Sequence, residues 1–218
     1  MKKQIFYPGV VLFCGLILFV LSGCICAGSS PSPRFYMLKC MKDDGSAQKF
    51  DMPAGVITSV GPVNIPQYLD RPQIVTVDGR GLMGISQFDR WSESLDSEIA
   101  RAINLNLSRM LPGGVFELFP CNFAIPLNYQ LIVEVMRLEA DLKNELLFVA
   151  QWSIIDADAK KMVFTRRSEF TRPVNPHNYS GLADALSGAV EDLSAEIAKD
   201  LSSLAKKPKA PRQEGEGQ

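Results

Sequence analysis

Two stretches of the chain repeat their apolar residues at helical spacing. Over residues 94–111, Leu95, Ile99, Ala102, Ile103, Leu107 and Met110 fall three and four positions apart, which gathers them on one helix face. Pro112, Gly113 and Gly114 end that pattern. Glu93, Asp96 and Glu98 lie near its start and Arg101 and Arg109 further along, the order the helix dipole favours. Over residues 179–204, Leu182, Leu186, Ala189, Leu193, Ile197, Leu201 and Leu204 form a second, longer stripe. Elsewhere the period shortens towards two. Residues 129–140, 146–155 and 162–172 show partial alternation, separated by short polar turns at 141–145 and 156–161, so an antiparallel meander is expected. Shorter strands are predicted at 34–38, 56–63 and 115–119. Another pair, 73–77 and 82–87, flanks Asp78-Gly79-Arg80-Gly81 as a hairpin. The expected fold is therefore α+β: an antiparallel sheet with two amphipathic helices packed on one face.

The N-terminus has a different pattern. Lys2 and Lys3 precede an apolar run over 5–21, which ends in Leu21-Ser22-Gly23-Cys24. A positive start, a short apolar run and a small residue before cysteine describe a lipoprotein signal over 1–23, cut before Cys24. The run is shorter than the roughly 20 residues a spanning helix uses, which disfavours the alternative of a retained N-terminal anchor. Cys24 would then carry the lipid, with several acyl chains giving stable membrane attachment. Ile25 follows the cysteine in place of Asp, the usual enterobacterial signal for inner-membrane retention, so the outer membrane is the expected location. Residues 24–33, small, polar and Pro-containing, suit a flexible tether. Residues 34–205 form one domain, and 206–218, rich in Lys, Pro, Gly, Glu and Gln, read as a disordered tail.

Composition narrows the chemistry further. The formal net charge of −1 becomes more negative once Lys2 and Lys3 leave, and nothing marks a nucleic-acid surface. Of five cysteines, Cys14 leaves with the signal and Cys24 is the lipid acceptor, leaving Cys26, Cys40 and Cys121. Cys40 and Cys121 each follow a strand-like run, so they are either a disulfide of an oxidising compartment or two free thiols. The single histidine, His177, lies just before the second helix, where a loop or capping role suits it better than a catalytic one. No Gly-x-Ser-x-Gly turn, phosphate-binding loop or clustered metal-ligand set is present, so neither enzymatic activity nor a cofactor or metal is expected. Gly79, Gly81 and Gly84 read as turn residues, and Asp156 and Asp158 as solvated residues of a strand connection.

One ordered set of residues carries a resemblance. Val60-Gly61-Pro62-Val63, Ile65-Pro66 and Tyr68-Leu69-Asp70-Arg71-Pro72-Gln73-Ile74-Val75 precede Arg80 and Trp91. After Trp91 come Glu93, Ser94, Leu95 and the first helix. With the Leu21–Cys24 signal, this resembles the PqiC-like ABC-type transport auxiliary lipoproteins over about residues 34–204; Cys40 and Cys121 lie outside the pattern. The resemblance implies a non-enzymatic, ring-forming periplasmic lipoprotein of the outer membrane, partnered with an MCE-domain protein, a permease and an ATPase in lipid transport. Trp91 is expected in the core, and Arg80 and Tyr68 either within the fold or at an interface. A second reading is a monomeric lipid-binding carrier that holds a phospholipid acyl chain between sheet and helices. A periplasmic hydrolase acting through His177 ranks last.

Overall fold

The structure is a computed structural model in which residues 31–42, 45, 48–121 and 126–206 are described. The expected signal Leu21-Ser22-Gly23-Cys24, most of the tether and the tail beyond Lys206 lie outside the described residues. The fold below is that of the unit beginning at Pro33.

Both helical stripes form helices, α1 (Leu95–Met110) and α2 (Tyr179–Ala205). Asn178 caps α2, its side-chain oxygen accepting a hydrogen bond from the Gly181 N–H at 2.9 Å. The long alternating runs form β6 (Tyr129–Ala140), β7 (Glu145–Asp156) and β8 (Lys161–Pro173), an antiparallel meander. These join β2 (Val56–Asn64) and β5 (Gly114–Leu118) in a five-stranded sheet of order β5-β2-β6-β7-β8.

The sheet is mixed, which corrects the expectation of a purely antiparallel one. Strand β2 runs parallel to both neighbours, with Val60 opposite Leu118 on one side and Leu131 on the other. A parallel pair needs a long crossover, and the chain between β2 and β5 supplies it, since α1 lies in that excursion and packs on both strands. Strand β2 lies inside the sheet, and its consecutive residues Thr58, Ser59 and Val60 are all fully buried. A second, three-stranded sheet contains the expected hairpin as β3 (Gln73–Val77) and β4 (Met83–Trp91). The short β1 (Arg34–Tyr36) runs parallel to the far end of β4, so this sheet is mixed too.

Both helices cover the same face of the five-stranded sheet, α1 over β2 and β5 and α2 over β7 and β8. Between the layers Ile99, Ile103 and Leu107 meet Leu186, Leu193 and Ile197 above Leu131, Phe148, Trp152 and Ile154, all fully buried. Each such side chain contributes about 1.5–3 kcal/mol through burial. Trp152 keeps its polar edge satisfied, Nε1 donating to Ser168 Oγ at 3.1 Å, and Ser168 Oγ donates in turn to Glu196 on α2. Arg166 pairs with Asp200 and Arg172 with Asp192, so β8 and α2 run antiparallel and are tied along their length.

The start of α2 is the tightest approach. A Cβ on Gly181 would lie 1.9 Å from the Pro176 carbonyl oxygen. Gly181→Ala is expected to destabilise the domain by about 1–3 kcal/mol, the usual range for overpacking. Urea unfolding checks this, and an unchanged midpoint would mean the 173–178 loop moves aside freely.

Candidate functional site

Residues 34–41 are held by a series of buried polar groups, among them Asp89, Glu98, Asn106 and Ser187. Asp89, its side chain 4% exposed, accepts a two-pronged pair from Arg34, Nε to Oδ1 at 2.7 Å and Nη2 to Oδ2 at 3.0 Å. Tyr36 Oη donates to Oδ1 at 2.9 Å and Ser86 Oγ to Oδ2 at 2.8 Å. Asp89 can reach inwards because β4 departs from regular pairing between Ile85 and Arg90, and Ser86 Oγ accepts the Asp89 N–H across that irregularity. Three of these four bonds come from Arg34 and Tyr36, so a single carboxylate pins β1 to the domain.

Beyond β1 the chain has left the sheet ladder, and its N–H groups need other acceptors. The two helices provide them in succession. Leu38 N–H donates to Glu98 Oε2 (3.1 Å), Lys39 N–H to Ser187 Oγ (3.0 Å) and Met41 N–H to Asn106 Oδ1 (2.9 Å). Glu98 and Asn106 come from α1 and Ser187 from α2, so residues 38–41 lie along the junction of the helices. Asn106 also donates to Ser194 Oγ at 3.2 Å, linking α1 to α2. Glu98 receives Ser92 Oγ–H and lies 3.5 Å from Arg101, whose guanidinium also grips Glu93. Leu38 and Met41 are buried beneath this clasp.

The electrostatics follow from these contacts. Burial pushes the Asp89 carboxyl up, but the hydrogen bonds from Arg34, Ser86 and Tyr36 outweigh it and hold the group below the usual carboxylate range. The Tyr36 phenol is pushed up, by burial first and then by its bond to Asp89.

The remaining residues singled out in the sequence are scattered. Trp91 is core, and Tyr68 ties the 3-10 turn Gln67–Leu69 to β6 by donating to Leu138 O at 3.2 Å. Arg80 pairs with Asp78 inside the hairpin turn. His177 is exposed in the loop ahead of α2, where Asn178 makes the cap. Cys40 and Cys121 are free thiols with separate surroundings, Cys40 Sγ beside Arg109 Nη1 at 3.0 Å and Cys121 Sγ near Ser59 Oγ at 3.5 Å. Among the described residues no group of His, Cys, Asp and Glu could hold a metal, and no helix is long and apolar enough to cross a membrane.

Sequence reading missed Asp89, Glu98, Asn106 and Ser187. A signal for two of them was present: Glu98 and Asn106 fall in step with Leu95, Ala102 and Met110 on the apolar stripe, so a helix that buries the stripe buries them. No catalytic pair is built by these groups. What they accomplish is mechanical, fixing residues 34–41 against the sheet and the two helices.

The family model described as "ABC-type transport auxiliary lipoprotein component" matches residues 36–198. No curated protein sequence matches. Among solved structures, one of an uncharacterized protein is similar over 79% of this chain and 100% of its own, with 18% identity and a TM-score of 0.64. Protein XCC0632 from Xanthomonas campestris is similar over 79% and 95%, with 11% identity and a TM-score of 0.59. At these identities the likeness is one of fold.

Two predictions follow from the clasp. Glu98→Ala leaves the Leu38 N–H without its acceptor and is expected to cost about 1–3 kcal/mol, with faster amide exchange at residues 38–41; unchanged exchange there would count against the clasp. Because the folded pKa of Asp89 is depressed, its contribution is fully present above the unfolded value of about 3.9 and is lost as pH falls through the folded value. Wild-type stability should therefore drop more steeply than that of Asp89→Asn below about pH 4, as acid-dependent urea unfolding would show.

Proposed function

Because this chain belongs to the ABC-type transport auxiliary lipoprotein family, whose model covers most of its folded domain, we propose that it is a lipid-anchored subunit of an envelope lipid-transport system. In this reading Cys24 carries the lipid on the periplasmic face of the outer membrane, and the domain assembles into a ring that docks on the tunnel of an MCE-domain protein. The permease and ATPase are separate subunits, and the subunit itself catalyses no reaction.

The observation that carries the reading is the family match together with the Leu21-Ser22-Gly23-Cys24 signal ahead of a clasped first strand. Ring formation has support in the sheet edges. Strand β5 is an edge of the five-stranded sheet, and Val115, Leu118 and Phe119 on or just after it are exposed. Unpaired backbone beside apolar side chains is a template for a neighbouring copy. The carrier reading has less support, since the interlayer space in which an acyl chain would lie holds the packed side chains of both helices and the sheet.

Size-exclusion chromatography with light scattering on the mature chain, and co-purification from cells making the MCE-domain protein, test the proposal. A closed oligomer that recovers the MCE protein is expected, together with loss of membrane association in Cys24→Ala. A strict monomer at high concentration with no such partner would refute it.

A further inference from the structure

The turn between β3 and β4 is built to hold apolar side chains in the open. The Asp78 carboxylate accepts the backbone N–H groups of Arg80 and Leu82, both at 2.9 Å, and the Arg80 guanidinium at 3.0 and 3.2 Å. Gly81, at a φ of +81°, donates its N–H to Asp78 O at 2.8 Å. These bonds fix the turn locally. On it and on the start of β4, Leu82, Met83 and Ile85 are 67%, 46% and 54% exposed. Met83 and Ile85 share one face of the ribbon by strand alternation.

The topology places this turn at a particular pole of the domain. Strand β1 is parallel to β4, with Arg34 opposite Asp89 and Tyr36 opposite Trp91, so the N-terminal end of β1 faces the Met83 end of β4. The chain therefore reaches Arg34 from the side of the turn. A surface depression lined by Thr76, Gly84, Ala140, Asp141, Leu142 and Lys143 puts the β6–β7 turn at the same pole. Tyr36 packs against Tyr179, the first residue of α2, with ring centroids 6.4 Å apart. Opposite lies the β7–β8 turn, since Asp156 pairs with Tyr129 at the far end of the meander.

We infer that the apolar β3–β4 turn rests in the surface of the phospholipid bilayer to which Cys24 is attached, a second membrane contact beside the lipid. This rests on the lipid-anchor reading above. The lengths agree: from the level of Asp89 to Met83 is six residues of strand, at most about 20 Å, whereas residues 24–33 can extend about 35 Å. Lipid and turn can thus reach one bilayer surface together. The chemistry also agrees, since Leu82, Met83 and Ile85 suit the acyl boundary while the exposed Lys143 beside them suits the anionic headgroup layer, Arg80 being paired with Asp78. A second protein copy is a poorer occupant, because three side chains on a narrow turn fall well short of the ~800 Å² per partner of a stable interface.

The test uses the lipidated full-length mature protein in vesicles of phosphatidylethanolamine and phosphatidylglycerol with brominated acyl chains. Leu82→Trp places a fluorophore on the turn, Met162→Trp places one beside the opposite pole, and the native Trp91 and Trp152 supply a buried background measured in the parent protein. Flotation with the vesicles reports the anchor, and bromine quenching reports the turn. The expected result is flotation of both variants, with a blue shift and loss of emission for Leu82→Trp only. Flotation without quenching at residue 82 would overturn this inference and leave the anchor standing. Quenching of both variants alike would overturn it too, as would a Leu82→Trp emission that changes with protein concentration instead of bromine content. Failure to float would overturn the anchor reading and this one with it.

Discussion

The domain depends on three backbone N–H groups finding acceptors away from any strand. At Leu38, Lys39 and Met41 the chain has left β1, and it is saturated only by Glu98, Ser187 and Asn106. A buried N–H without a partner costs about 1–3 kcal/mol, so the two buried ones, at Leu38 and Met41, are together comparable to a sizeable share of a domain's net stability. The same side chains couple the two helices, Asn106 bonding to Ser194 across their junction. Docking the N-terminal segment and docking α1 against α2 are therefore linked events.

This clasp explains why a short strand can serve as an attachment. Three residues of β1 give few ladder bonds, and a strand that small would fray if it relied on them alone. The Asp89 carboxylate replaces the missing ladder with charge-assisted bonds, which are shorter and stronger than neutral ones. Arg34 is mostly exposed while Asp89 is not, so the pair's strength comes from the enclosed acceptor and its four donors more than from the ion pair as such. A pull on the chain ahead of β1 would meet Arg34 first and the helix clasp next.

The parts of this arrangement that sequence made legible are those with local causes. The stripes led by Leu95 and Leu182 are periodic within their own helices, and the meander around Leu131, Phe148 and Phe164 is joined by short polar turns, so pairing follows from adjacency. Strand β2 is different. Its neighbours β5 and β6 are remote in the chain, and nothing in Val56–Asn64 states that Val60 will sit between Leu118 and Leu131. That is why the pattern predicts a wholly antiparallel sheet where the structure has a mixed one. Asp89 was hidden for a similar reason, since its inward reach arises from an irregularity in β4 and its main partner lies 55 residues away.

Energetics decide what kind of membrane contact the β3–β4 turn can make. Full burial of a Leu, Ile or Met side chain is worth about 1.5–3 kcal/mol, and these three expose half to two-thirds of theirs, so complete immersion yields a few kcal/mol. Free in solution, a contact of about 4 kcal/mol corresponds to only millimolar affinity and would leave the protein mostly unbound. Held by the proposed lipid anchor, the turn would experience an effective concentration that is itself about millimolar, so the same weak contact would become substantially occupied. Under the proposed anchoring, the lipid would keep the domain at the membrane and the turn would bias which pole faces it. The clasp at Arg34 and Glu98 would make this division possible, because a loosely joined β1 would let the domain tumble. A contact of this strength would stay reversible, in keeping with the proposed role as a subunit that aligns with partners.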